Sequence, residues 1–368
     1  MLENVLHKLK NREKITVGYF GGSITEGAHA SDQTRLCWRA LTTTWLREQF
    51  PNCEITEIQG AIGGTGSVLG VYRCDRDLIA YKPDLVFYEF SVNDYGVAKD
   101  DNCEGYKRLV NNTESIFRKI YKANPTADIV VMHTIVKNIE ADLVNGKNYS
   151  SRAAHTAAAR YYGLPCIEIG EALRDVINRD GGDWKKYTTD TVHPRDNGHA
   201  IYADVVKARL TELFGKAKEL DAPIAKVLPE PLFAAEETYE NAHMADGSEA
   251  TLGHGWKLVK ESMCGRYPQY IEASEPGAEL SFAFTGKRIG LYYMIAADSG
   301  NAEYSIDGGE WKKIVMWDEW ALKFPRAFHS ELATDLAYGE HTLRLRVSAQ
   351  KEEQSTGTVL RIGTFSVG

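Results

Sequence analysis

The 368-residue chain reads as an α/β domain built on a parallel sheet, followed by an all-β sandwich. Three observations predict this. From residue 15 to about 214, short apolar runs alternate with stretches of helical period, the pattern of stacked βα units. The stretch ELDAPIAKVLPEPLF (219–233) then carries three of the eleven prolines and keeps neither period. Beyond it the helical pattern stops, and segments in or near period two are separated by Gly, Asp and Ser clusters. The expected organisation is a first domain over 1–218, a linker over 219–235 and a β-sandwich domain over 236–368.

The chain opens with MLENVLHKLKNREK, in which charged and apolar residues recur at helical spacing. It lacks the apolar stretch and cleavage site of an export signal. Five strands follow at 15–20 (ITVGYF), 54–59 (EITEIQ), 84–90 (DLVFYEF), 128–135 (DIVVMHTI) and 165–169 (PCIEI), rich in β-branched and aromatic residues. Four read as buried on both faces. EITEIQ places Ile55 and Ile58 out of phase, which predicts an edge position. Helices are expected over 35–50, carrying Leu36, Leu41, Trp45 and Leu46, and over 106–123, carrying Leu109, Ile116, Phe117 and Ile120, with these faces on the sheet. In the β half, strands are expected at 279–284, 288–294, 302–306, 341–347 and 358–362, with Asp307-Gly308-Gly309 as a hairpin turn.

A net charge of −8 and a pI near 5.8 argue against a nucleic-acid partner, which would need clustered Lys and Arg, and fit a neutral or uncharged-polymer substrate. No window approaches eighteen consecutive apolar residues, so no membrane partner is expected. The six cysteines show no CxxC pair or metal-ligand spacing and read as free thiols of a reducing compartment, most simply the cytoplasm.

The chemistry begins at GYFGGSITEG (18–27), where a strand ends in two glycines and a serine. A phosphate loop would need a lysine followed by Ser or Thr after its last glycine, and none is present. Gly21, Gly22 and Gly27 do not reproduce GxGxxG, and Thr25 stands where the GxSxG elbow needs its second glycine. A nucleophilic Ser23 on another scaffold would need a base, a carboxylate to orient it and donors for an oxyanion. Asp190 and His193 lie three apart in DTVHP, just before a helical run, and can sit side by side. QGAIGGTGS (59–67) and SVND (91–94) each follow a predicted strand at its carboxyl end, where open α/β sheets hold their ligands. The first can turn backbone N–H groups toward an anion; the second offers the Asn93 amide, or a cap for the following helix.

Ser23 in GGSITEG, Gly64 in IGGTGS, Asn93 in SVND, and Asp190 with His193 in DTVHP resemble the four blocks of the SGNH hydrolases, the GDSL esterase/lipase superfamily. The resemblance covers roughly residues 10–215. It implies a flavodoxin-like three-layer α/β/α sandwich and ester hydrolysis through an acyl-serine. Ser23 would be the nucleophile, His193 the base and Asp190 its orienting carboxylate. The backbone N–H groups of Ser23 and Gly64 and the Asn93 side chain would form the oxyanion hole. One departure is that Gly22 replaces the usual Asp of Gly-Asp-Ser, a residue outside the triad. The scheme calls for no metal and no cofactor, and His29, His133, His155 and His199 form no ligand cluster by spacing. His199, in a helical run, reads as structural.

For the substrate, no apolar lid of the lipase kind is seen. VMWDEWALKF (315–324) interleaves Trp317 and Trp320 with acidic residues, either to hold a sugar ring or to pack between domains. Asp94 has two readings, a substrate contact or a helix cap. The layout of an SGNH domain and a jelly-roll-like sandwich is similar to bacterial carbohydrate acetylesterases whose second domain resembles a carbohydrate-binding module. The expected activity is O-acetyl removal from plant oligosaccharides, β-mannan first and xylan next. A short-chain thioesterase or lysophospholipase, and a non-catalytic carbohydrate-binding protein, are the rival expectations.

Overall fold

In the computed structural model, which describes residues 2–99 and 102–368, the chain divides into two compact units that meet between Glu240 and Asn241. The first holds five parallel strands, β1 (Ile15–Gly21), β2 (Ile55–Gln59), β3 (Leu85–Glu89), β4 (Asp128–Met132) and β5 (Cys166–Ile167), in the order β2-β1-β3-β4-β5. β2 lies at the edge, as its out-of-phase isoleucines require, and three of its five residues are only half-buried. β3 and β4 are buried along their whole length.

The helices are α1 (Glu3–Lys10), α2 (Ser23–Glu26), α3 (Trp38–Gln49), α4 (Ser67–Asp77), α5 (Ser91–Asp94), α6 (Cys103–Ala123), α7 (Lys137–Val144), α8 (Ser150–Tyr161), α9 (Ile169–Arg179) and α10 (Asp196–Lys216). Side chains alternate across the sheet, so Val17, Tyr19, Phe87, Val130 and Met132 join Trp38, Leu173 and Tyr202 of α3, α9 and α10 in one core. Phe20, Tyr88 and Phe90 turn to the other face, where Tyr88 meets Phe117 of α6 edge-on at 5.2 Å. A fully buried side chain of this size contributes about 2–3 kcal/mol. The result is the three-layer α/β/α sandwich.

The stretch expected as a linker has no regular structure, but it is bound along the first unit. Ile224 exchanges hydrogen bonds of 2.7 and 2.9 Å with the Asn4 side chain. The Lys226 N–H reaches the Pro125 carbonyl at 2.7 Å, the Leu232 N–H reaches Glu114 at 2.8 Å, and the Tyr239 N–H reaches Ser115 at 3.0 Å. Its prolines prevent a ladder or helix, so its backbone groups find partners on α1, on α6 and on Pro125 just beyond α6 instead.

The second unit is all β: β6 (His243–Asp246), β7 (Thr251–Leu252), β8 (Lys257–Val259), β9 (Tyr270–Ala273), β10 (Glu279–Gly286), β11 (Ile289–Ile295), β12 (Asn301–Ile306), β13 (Lys312–Val315), β14 (Arg326–Ala333), β15 (Gly339–Val347) and β16 (Leu360–Val367). Antiparallel pairing gives one sheet in the order β13-β12-β15-β10-β7 and another in the order β14-β11-β16-β9-β8, with β6 also on β16. Phe282 of the first sheet stacks on Phe365 of the second at 4.0 Å. Asp307 and Gly308 both adopt positive φ, +54° and +73°, the backbone that a tight β12–β13 hairpin demands.

Candidate active site

Every residue of the site sits at or just beyond the carboxyl end of a strand, or in the turn before α10. β1 runs into Gly22, which is extended, and Ser23 begins the single turn α2. The first N–H groups of a helical turn have no partner within it.

Across the strand ends, residues 188–194 form a tight loop. The Thr191 N–H donates to the Thr188 hydroxyl at 3.1 Å, and the Thr189 N–H donates to the His193 carbonyl at 3.0 Å. Thr191 at φ +70° completes the turn. Within it one Asp190 carboxylate oxygen accepts the backbone N–H groups of His193 (2.8 Å) and Val192 (3.1 Å). The other lies 2.7 Å from His193 Nδ1. Burial pushes this carboxyl upward, but these hydrogen bonds outweigh it and lower its pKa to about 2. The ionised carboxylate calls for a proton on Nδ1, which leaves the Nε2 lone pair facing Ser23 Oγ at 2.8 Å.

The glycine loop after β2 closes on the same spot. The Gly63 N–H is taken by the Glu26 carboxylate of α2 at 2.7 Å. The next residue, Gly64, is held at φ +74°, and among the described residues no partner is found for its N–H. A β-carbon on Gly22 would lie 2.0 Å from Asn93 Oδ1, so the Asn93 amide occupies the space that the family's usual aspartate would need. Ser23, Asp190, His193 and Asn93 are thus gathered at one turn, with the Gly63–Gly64 loop beside it.

Asp94 corrects the reading as a substrate contact. It is fully buried, one oxygen accepting the Ser67 N–H at 2.8 Å and the other bonded to His155 Nε2 at 2.9 Å. It caps α4, a helix distant in sequence, and no surface remains for a ligand. In the second unit, Trp317 packs on the β core, whereas Trp320 is 49% exposed with the Lys323 ammonium 4.0 Å from its ring centre.

The histidines also depart from the spacing argument. The His29 ring stacks on His193 with centroids 4.7 Å apart, and its Nδ1 meets the Thr189 hydroxyl. One ligand atom each from His29, Asp190 and His193 lies within 4.8 Å of the others. His29 and Thr189 are 160 positions apart in the chain, and only the fold joins them. His29 takes φ +68°, a conformation costing a non-glycine residue about 1–2 kcal/mol. His199 is buried and accepts the Trp38 N–H at 3.4 Å; burial lowers its pKa to about 4. His133 and His155 are buried as well, their rings 6.4 Å apart.

Two supporting residues escaped the sequence reading. Arg73 is fully buried and donates to the carbonyls of Gly60 (2.5 Å) and Gly21 (3.0 Å) and to the Thr65 hydroxyl (3.1 Å). It ties β1 to the glycine loop. Glu89, at the end of β3, accepts from Thr25 of α2 at 2.9 Å and from Thr134 at 2.7 Å, and its burial raises its pKa. The available signal was a charged residue amid apolar neighbours, in VLGVYRC and VFYEF.

The hydrogen-bonded row Ser23–His193–Asp190, set on an α/β/α sandwich, has the geometry that serine hydrolases use. Residues 19–201 match the GDSL-like lipase/acylhydrolase family, and the first unit is a member of it. No curated protein matches the chain in sequence. Among solved structures, the chain is similar to a two-domain esterase (CEX) active on acetylated mannans, co-crystallised with mannopentaose. The TM-score is 0.82 at 23% identity, covering 99% of this chain and 93% of that one. A second structure of such an esterase gives 0.80 at 24% identity, covering 99% and 94%. At this identity the likeness establishes the fold of both units.

Proposed function

We propose that the protein is a serine esterase that removes O-acetyl groups from plant-derived oligosaccharides, mannan first and xylan next. The observation that carries this is the relay Ser23 Oγ–His193 Nε2–Asp190, with hydrogen bonds of 2.8 and 2.7 Å. Ser23 Oγ attacks the acetyl carbonyl as its proton passes to His193 Nε2, and Asp190 stabilises the imidazolium. The oxyanion rests on the N–H groups of Ser23 and Gly64 and on the Asn93 amide. Collapse breaks the ester bond, and His193 returns its proton to the departing sugar oxygen, leaving acetyl-serine. A water, deprotonated by His193, then releases acetate and restores Ser23.

The substrate class is supported by the fold shared across both units with esterases active on acetylated mannans, and by the half-exposed Trp320. Sugar rings pack on such aromatic faces. The test is mass spectrometry of acetylated manno- and xylo-oligosaccharides before and after incubation. Loss of acetyl groups is expected with the parent protein and no loss with Ser23→Ala. Retained acetyl groups alongside rapid cleavage of octanoyl thioesters would favour the thioesterase reading. Absence of fluorophosphonate labelling at Ser23 would favour a binding protein.

A further inference from the structure

We infer that His29, His193 and Asp190 form an inhibitory site for a borderline transition-metal cation, Zn²⁺ above all, at the mouth of the active site. This rests on the role proposed for His193. Two imidazoles and a carboxylate are a donor set that zinc takes readily, and here one ligand atom of each lies within 4.8 Å of the others. His29 and Asp190 are exposed and His193 is half-buried, so a cation reaches all three from solvent. Zinc–nitrogen and zinc–oxygen bonds are about 2.0–2.2 Å long, so the donors must draw together by side-chain rotation, with water completing the tetrahedron.

That movement is what makes the site inhibitory. Both ring nitrogens of His193 are already engaged, Nδ1 with Asp190 and Nε2 with Ser23. Whichever nitrogen gives its lone pair to the metal, one of the two relay hydrogen bonds is lost. If it is Nδ1, the metal displaces the proton held toward Asp190; if Nε2, Ser23 loses its base. His29 distinguishes this site from a lone triad, because a single histidine and a carboxylate hold zinc weakly, whereas a second imidazole supplies the chelate. Its ring is set in place by the bond to Thr189 and by the stack on His193.

The experiment reads binding and activity separately. Zinc chloride is titrated calorimetrically into full-length Ser23→Ala, which keeps the donor set and needs no activity. In parallel, hydrolysis of 4-nitrophenyl acetate by the parent chain is followed against zinc, then with EDTA. Micromolar binding to Ser23→Ala, and inhibition reversed by EDTA, are expected. His29→Phe keeps a ring over His193 without a donor, and His29→Gly suits the positive φ; both should raise the zinc needed for half-inhibition at least tenfold, each scaled to its own metal-free rate. Equal sensitivity of the parent and both variants, or no binding to Ser23→Ala at 100 times the micromolar range, overturns the proposal. If the parent chain binds zinc through His29 yet hydrolyses no ester, the metal site stands and the hydrolase reading falls.

Discussion

Asn93 sits in α5, just beyond β3, with its amide against Gly22, and in the proposed role of oxyanion donor it would act on the transition state more than on bound substrate. Asn93→Ala is therefore expected to cut kcat by two to three orders of magnitude, about 3 kcal/mol, with KM little changed. Steady-state kinetics on an activated acetate ester checks this. His199 gives a second prediction, about stability. Its folded pKa near 4 lies below the ordinary 6.5, so between these values the unfolded chain binds the extra proton. Stability is therefore full above about pH 6.5 and falls as pH drops toward 4, by up to roughly 3 kcal/mol. Asp128, raised by burial to about 6, works in the opposite sense: its contribution is present below the ordinary carboxylate value and is lost as pH rises through 6. Over pH 4.5 to 7 these two slopes offset each other in the parent, so urea unfolding of His199→Gln should show stability shifted in favour of pH 4.5 relative to the parent, because the Asp128 slope is no longer countered.

At the level of elements, the nucleophile turn and the glycine loop are separate pieces of chain held together by Arg73. Its hydrogen bonds to Gly21, Gly60 and Thr65 are made by a fully buried side chain, and it lies 4.4 Å from the Phe20 ring centre. Arg73→Met removes a buried donor from the Gly60 carbonyl and the Thr65 hydroxyl and the second donor from the Gly21 carbonyl, which keeps the Ile62 N–H at 3.0 Å, and a loss of several kcal/mol is expected, read as a lower Tm. The turn itself has no room for a side chain at position 22. Gly22→Ala should displace the Asn93 amide and lower kcat about tenfold or more, while circular dichroism stays unchanged. Equal kcat would show that the amide is not held where the turn places it.

For the whole molecule, all five residues assigned to catalysis lie in the first unit, and the arm over 219–240 is bound to α1 and α6 by backbone hydrogen bonds. A chain ending at 240 should keep its hydrolysis of 4-nitrophenyl acetate. A chain ending at 218 loses the arm's partners for Asn4, Glu114 and Ser115 and should unfold several degrees earlier in a thermal melt. If the two truncations melt alike, the arm adds nothing to the first unit's stability. No helix among the described residues is long and apolar enough to cross a membrane.

The fold and the relay were legible in the linear order because each depends on local chemistry. Apolar periods mark strands and helices, DTVHP places a carboxylate three residues from an imidazole, and two glycines and a serine after a strand make a turn with an exposed hydroxyl. The edge position of β2 followed from the phase of two isoleucines. Asp94, His29, Arg73 and the arm over 219–240 were decided only by tertiary structure. Asp94 carried equal signals for a ligand contact and a cap until Ser67 and His155 closed over it. His29 met His193 because two loops cross the same sheet edge, and no spacing records that. Local patterns set which groups are available and what each can bond, whereas burial and the meeting of distant loops set which bonds are made.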